Sequence, residues 1–391
     1  MNNTHKILLL DGQSVQAISI SKYLKKSNFD VVLFCDTKLS YGYRTRYADE
    51  KYLAPKTASK EFKEFLFEFL DANKIDGIIP LNDSSAEFLS LNKKALEKRS
   101  KFIIPDENIF YKGYDKNVLM SICEKFNIPH PKTSNLDLDR ADGAISKVGL
   151  PCLIKPNMTT GGRGITMISS KEGFENQYPK ILKEYGACHL QQFIPEGGRQ
   201  LKVQLYINKD KQILGSSVIH KIRFYPEKGG SSCCNVTIKD DALIELCVGV
   251  LEKINWIGFA DFDLIEDPRD GLAKIMEINP RVPACIKSSL ISGVDFASII
   301  ANDTLGKKVS KQDYQPGKYL RFFGLDLLWF IYSKHKFKTK PNWFYLMGKN
   351  VSYQEGGFDD ILPFLYGTVG GFLKQLNPSF RKNKSGMRIN N

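Results

Sequence analysis

Phe259-Ala260-Asp261-Phe262-Asp263-Leu264-Ile265 is followed by Asp267-Pro268-Arg269-Asp270-Gly271 and then by Ala273-Lys274-Ile275-Met276-Glu277-Ile278-Asn279-Pro280-Arg281. Polar and apolar residues alternate in both arms, the period of a half-buried strand. Pro268 and Gly271 mark the turn of a hairpin between them. Asp261 and Asp263 then share one face, and Phe262 and Leu264 the other. Glu277, Asn279 and Arg281 alternate in the same way with Met276 and Ile278. Once the arms pair, the carboxylates and Asn279 converge on one side. Asp, Glu and Asn offer the hard oxygen ligands that Mg2+ takes, with phosphate oxygens completing its shell. Arg281 beside them suits a phosphoryl group in transfer. A solvated sheet face explains single charges. Carboxylates on both arms, an amide and an arginine at matched period favour a site.

Upstream, the expected strand Pro151–Pro156 carries Lys155 and runs into Thr159-Thr160-Gly161-Gly162-Arg163-Gly164, before a strand at Ile165–Ile168. Glycines let backbone N–H groups approach a phosphate without Cβ obstruction. A P-loop instead opens a helix and ends in Gly-Lys-Ser/Thr. On these residues alone, a plain hairpin turn and a solvated lysine remain open. Further strands are expected at Leu190–Ile194, Leu201–Ile207 and Ile213–Ile219, and a helix at Ala242–Ile254. A linking helix over Asp115–Phe126 is stopped by Pro129 and Pro131. Residues 1–110 alternate strands (Ile7–Leu10, Val31–Phe34, Gly77–Leu81) with helices (Ser14–Lys26, Glu61–Ala72, and the Ser84–Lys98 region). That order predicts an α/β fold with a parallel sheet. The first turn, Asp11-Gly12-Gln13-Ser14, lacks the GxGxxG fingerprint, so NAD binding is not supported.

The 391 residues are 42% apolar and 25% charged, a globular composition that allows two or three domains. The eight cysteines form no CxxC, which predicts a reduced, cytoplasmic protein and disfavours a zinc site. No apolar stretch reaches the ~20 residues of a membrane-spanning helix. The net charge of +13 is concentrated at one end, since residues 307–391 hold 15 Lys/Arg against 5 Asp/Glu. They also hold 17 of the 45 aromatic residues, and Lys334, Lys336, Lys338 and Lys340 alternate there with His335, Phe337 and Thr339. The terminal Arg381-Lys382-Asn383-Lys384 adds to the charge. Three readings compete for this region. They are a helical extension with a basic solvated face, a membrane-surface contact, and nucleic-acid binding, for which no module is recognisable.

Taken in order, Lys116 after Asp115, Lys155, Gly161-Gly162-Arg163-Gly164, Gln191-Gln192-Phe193-Ile194-Pro195, Asp263 and Glu277-Ile278-Asn279-Pro280-Arg281 resemble the ATP-grasp superfamily. The resemblance covers about residues 100–305, and the Glu-Ile-Asn-Pro-Arg run is its most specific part. His220 to Pro226 with Gly229-Gly230-Ser231-Ser232 is similar to the carboxylate–amine ligase branch, which includes carbamoyl-phosphate-synthase-like and D-aspartate-ligase-like proteins. The resemblance implies a pre-ATP-grasp domain over 1–110, and a linker helix with a small ATP-grasp subdomain over 111–190. A C-terminal subdomain with the Mg site over 191–306 follows, then the basic, aromatic extension 307–391.

It also implies roles. Lys116 and Lys155 contact the nucleotide phosphates, and Gly161, Gly162 and Gly164 form a lid. Gln192, Phe193 and Ile194 form the adenine hinge, although the family often has Glu where Gln192 stands. Glu196 holds the ribose. Asp263, Glu277 and Asn279 bind one or two Mg2+, with Mn2+ an admissible substitute. Arg281 stabilises phosphoryl transfer, and Lys221 and Arg223 face the γ-phosphate or the substrate carboxylate. The implied activity is ADP-forming, ATP-dependent joining of a small-molecule carboxylate to an amine, with envelope or polysaccharide precursors among the candidates. The alternative is a non-catalytic nucleotide-binding module with a scaffolding role. No nucleic-acid partner is expected, a homodimer is open, and 307–391 is the candidate membrane contact.

Overall fold

The computed structural model describes residues 4–136, 141–159, 161–227, 230–357, 359–376 and 388–389. Thr160, Gly229 and Arg381-Lys382-Asn383-Lys384, singled out above, lie outside the described residues.

Four parallel strands open the chain: β1 (Lys6–Leu10), β2 (Asp30–Cys35), β3 (Glu50–Leu53) and β4 (Gly77–Pro80), in the order β3-β2-β1-β4. Helices cover both faces, so β1, β2 and β4 are buried almost throughout. Two-sided burial is why these strands read as continuous apolar runs, without alternation. β3 was not expected; its Glu50 and Lys51 mask the strand pattern.

The second sheet contains β5 (Thr133–Asn135), β6 (Cys152–Pro156), β7 (Thr166–Ile168) and β8 (Cys188–Gln192). β6 lies between β7 and β8, antiparallel to both. Ile154, Ile168 and Leu190 pack with Phe174, Tyr178 and Ile181 of the helix Lys171–Tyr185, forming a separate small core.

The third sheet has β9 (Gln200–Ile207), β10 (Ile213–Tyr225), β11 (Ser231–Ile238), β12 (Gly258–Glu266), β13 (Ala273–Asn279), β14 (Tyr319–Arg321) and β15 (Val351–Tyr353). Its order is β13-β12-β9-β10-β11-β14-β15. β12 and β13 form the expected hairpin, with Asp261 opposite Asn279 and Asp263 opposite Glu277. The helix Asp241–Ile254 packs on this sheet, its first turn capped by the Asp240 side chain. A short strand, β16 (Arg388–Ile389), runs parallel to β7.

The C-terminal region is not simply an appended extension. β14 pairs with β11, and β15 with β14, so residues from 319 to 353 widen the large sheet. The helix Phe323–Tyr332 is fastened from below. Asp326 receives Arg223 Nε at 2.7 Å and Arg321 Nε at 2.6 Å. All three side chains are buried. Arg223 Nη1 donates to the Pro341 carbonyl, and Arg321 Nη1 to those of Trp343 and Tyr345. Local acceptors of this kind are what keep a buried ion cluster from being left unsatisfied.

Among the described residues, no single helix is long and apolar enough to cross a membrane. The bent pair Ala284–Ser292 and Phe296–Thr304 passes by length and composition, but its Leu290, Phe296 and Ile299 are core residues. All eight cysteines are free thiols.

Candidate active site

The site grows from the β12–β13 hairpin. Its polar face carries Asp261, Asp263, Glu277 and Asn279, as the alternation requires. Asn279 Nδ2 lies 3.2 Å from Asp263 Oδ2, and Arg281 Nη2 lies 3.3 Å from Asn279 Oδ1. Arg281 Nε also meets Asp83 Oδ1 at 3.1 Å. Asp83 opens the helix Asp83–Leu91, whose N-cap is Asn82. One arginine therefore joins the hairpin to the helix that follows β4.

Lys116 is placed by a helix cap. The Asp115 side chain accepts from the backbone N–H groups of Asn117 and Val118, starting the helix Lys116–Lys125. Carboxylate acceptors at this position satisfy N–H groups that the helix cannot. The buried Lys116 Nζ reaches the Thr159 carbonyl at 2.6 Å and Glu277 Oε2 at 3.3 Å. It thereby ties the glycine turn to the hairpin.

Lys155, at the end of β6, is buried and donates to Gln191 Oε1 at 2.9 Å. Burial lowers its pKa to about 8, against the pull of Glu277. Gln192 ends β8, and Phe193 and Ile194 follow just past it; Glu196 is exposed. In the turn, Gly161, Gly162 and Gly164 all have positive φ. Gly161 and Gly162 face open space, whereas a Cβ on Gly164 would meet Pro156 Cγ at 2.7 Å.

Lys221 on β10 pairs with Asp263 Oδ1. A residue not foreseen completes the cluster. Lys202 of β9 lies 2.5 Å from Asp261 Oδ2 and 2.9 Å from Asp263 Oδ2. Burial opposes ionisation of Asp263, but Lys202 and Lys221 outweigh it and hold the carboxyl well below its usual range. Burial pushes Asp261 upward, and Asp263 beside it adds to that. Beneath Asp261 runs a polar chain. Gln204 Nε2 donates to Asp261 Oδ1 at 3.2 Å, and Ser289 donates to Gln204 Oε1 at 2.5 Å. Cys285 also borders the cluster, its Sγ 3.4 Å from Gln204 Nε2. Burial raises this thiol to about 11, which keeps it a poor nucleophile at neutral pH.

One expectation is corrected. Arg223 does not face a phosphate or a substrate carboxylate, because its guanidinium is buried against Asp326 and the Trp329 ring. Lys116, Lys155, Lys221, Asp263, Glu277, Asn279 and Arg281 do come together. A cavity of about 230 Å3 lined by Ile213, Leu251 and Trp256 shares no lining residue with them.

Among the described residues, no three His, Cys, Asp or Glu side chains form a ready cage for a metal. Asp263 and Glu277, opposite one another in the hairpin, with Asn279 one alternate position along, nevertheless fit Mg2+. This ion typically takes one or two carboxylates and fills its shell with water and phosphate.

The fold is the α/β ATP-grasp fold, and residues 114–285 match the ATP-grasp domain family. Residues 114–285 of the chain are thus an ATP-grasp domain, and the chain as a whole has distant relatives. It is distantly related to D-aspartate ligase from Enterococcus faecium, at 26% identity over 259 residues, 61% of this chain and 61% of the relative. It also resembles the carbamoyl phosphate synthase large chain of Clostridium perfringens, at 22% identity over 76% of this chain and 28% of that one. The chain thus spans under two thirds of the length of these relatives. Among solved structures, the biotin carboxylase domain of Hydrogenobacter thermophilus 2-oxoglutarate carboxylase, a dimer in complex with MgADP, ADP and bicarbonate, superposes with a TM-score of 0.66 at 19% identity. That match covers 81% of this chain and 74% of the other.

Proposed function

We propose that this protein is an ADP-forming ligase that activates a carboxylate as an acyl phosphate for attack by an amine. The observation that carries the proposal is the Asp263–Glu277 pair, set across one hairpin and ringed by Lys116, Lys155, Lys202, Lys221 and Arg281. Such a cluster suits a reaction whose main demand is to position phosphate and offset its charge. The relationship to D-aspartate ligase supports the choice of carboxylate and amine as substrates.

Lys155 and Lys116 hold the nucleotide phosphates, and the Gly161–Gly164 turn covers them. Gln192, Phe193 and Ile194 read the adenine edge through backbone groups, with Glu196 at the ribose. Asp263, Glu277 and Asn279 hold one or two Mg2+, which would offset phosphate charge. A substrate carboxylate oxygen attacks the γ-phosphorus, and the bond to the ADP oxygen breaks. Arg281 and Lys221 steady the charge on the moving phosphoryl group. The amine nitrogen then attacks the acyl carbon, phosphate departs with the bonding pair, and nitrogen loses a proton. The turn keeps water from the acyl phosphate.

The test uses ATP, Mg2+ and pools of acids without amine, in the presence of hydroxylamine. ADP together with a hydroxamate is expected, and Glu277→Gln should lower ADP release at least about 100-fold. AMP and pyrophosphate would overturn the reading. No turnover with any acid and amine, despite ADP binding, would favour the non-catalytic module.

A further inference from the structure

Residues 327–354 contain Lys334, Lys336, Lys338, Lys340 and Lys349 and no acidic residue. Interleaved with them are large apolar side chains turned to solvent: Tyr332 is 70% exposed, Phe337 68%, Phe344 60% and Met347 81%. Phe337 and Phe344 share one anchor. Their ring centroids lie 5.8 Å and 5.6 Å from that of Phe330, which itself stacks on buried Trp343 at 4.2 Å. The backbone beneath is pinned. Arg223 holds the Pro341 carbonyl, Arg321 holds those of Trp343 and Tyr345, and the Trp343 indole donates to the Asp326 carbonyl at 3.0 Å. The exposed rings therefore project from a fixed base.

We propose that residues 331–349 form a docking knuckle for an anionic lipid bilayer surface, with Phe337, Phe344 and Met347 entering the interface and the lysines meeting the headgroups. Aromatic and aliphatic side chains beside lysines are the combination that interfacial binding uses. Two features favour lipid over other acidic partners. From residue 322 to 380 the chain has no arginine, although arginine dominates the bidentate reading of nucleic-acid phosphates and bases. Protein interfaces likewise enrich arginine and deplete lysine. Lysine, a hydrated point charge, suits a diffuse anionic surface. The knuckle also adjoins the charged cluster, since Lys221 and Arg223 are two residues apart on β10. The proposal does not depend on the ligase reading.

The test is sedimentation of the full chain with phosphatidylcholine vesicles, with and without phosphatidylglycerol. Binding is expected only with phosphatidylglycerol, and should weaken with salt. The triple variant Lys334→Gln, Lys338→Gln, Lys340→Gln should partition about 100-fold less. The double variant Phe337→Ser, Phe344→Ser should lose at least about tenfold. These five side chains are exposed, so both variants should keep the wild-type melting temperature and circular dichroism. Absence of binding to phosphatidylglycerol vesicles, or equal binding by the wild type and both variants, would overturn the proposal. Retention by duplex DNA without vesicle binding would overturn it in favour of nucleic acid.

Discussion

Lys155 is charged or neutral according to its surroundings, and that sets a pH dependence. Burial brings its pKa down to about 8. A phosphate favours the ammonium form, so the proposed contact with nucleotide phosphate raises that value. Below pH 8 the lysine is already protonated, and affinity is flat. Above it, binding must take up a proton, and ADP affinity should fall by up to about tenfold per pH unit. Calorimetry in two buffers of different ionisation heat should show proton uptake above pH 8 and none at neutral pH. A flat profile without uptake would remove Lys155 from the nucleotide contacts. Lys202 and Arg223 show where reading single residues reaches its limit. Leu201-Lys202-Val203-Gln204-Leu205 alternates like the hairpin, so its polar face was legible. Its place beside Asp261 and Asp263 comes from the pairing of β9 with β12, which sets Lys202 opposite Asp263. Arg223, two residues after Lys221, should have shared its face. The register shifts there, and such an irregularity re-aims a side chain.

Among the elements, the glycine turn makes two different demands. Gly162 faces open space at positive φ, whereas Gly164 is crowded by Pro156 and Tyr185. Gly164→Ala should cost about 2 kcal/mol or more of stability, from backbone strain and overpacking together. Denaturant unfolding followed by circular dichroism would measure it. Gly162→Val, in contrast, should slow turnover more than it weakens ADP binding if, as proposed, adenine is read at Gln192–Ile194. Equal loss of both would sink that division of labour. The helix Lys171–Tyr185 went unread because Gly173 and Pro179 interrupt it. Its signal was the spacing of Phe174, Tyr178 and Ile181, one face of a helix. Their packing on β6, β7 and β8 outweighs the proline.

At the scale of the molecule, the Arg223–Asp326–Arg321 cluster holds the C-terminal segment to the large sheet. Asp326→Asn would leave two buried arginines without their counter-charge, a change that typically costs about 3–5 kcal/mol. A fall of that size in unfolding free energy is expected, with early proteolytic cleavage between residues 333 and 350. An unchanged melting temperature and cleavage pattern would show that the segment is held by other contacts.

By itself, the sequence determined the β12–β13 hairpin, the shared face of Asp263, Glu277 and Asn279, and the parallel N-terminal sheet. Side-chain alternation and continuous apolar runs follow from local backbone geometry and burial, so a few neighbouring residues suffice to show them. Only the tertiary structure decided which cations surround those carboxylates. Lys202 reaches Asp263 across 61 positions, Lys116 reaches Glu277, and Asp83 reaches Arg281 from the helix that follows β4. It also turned Arg223 from the site to Asp326, 103 positions away. Strand order and long-range packing set those contacts, and no local period encodes them.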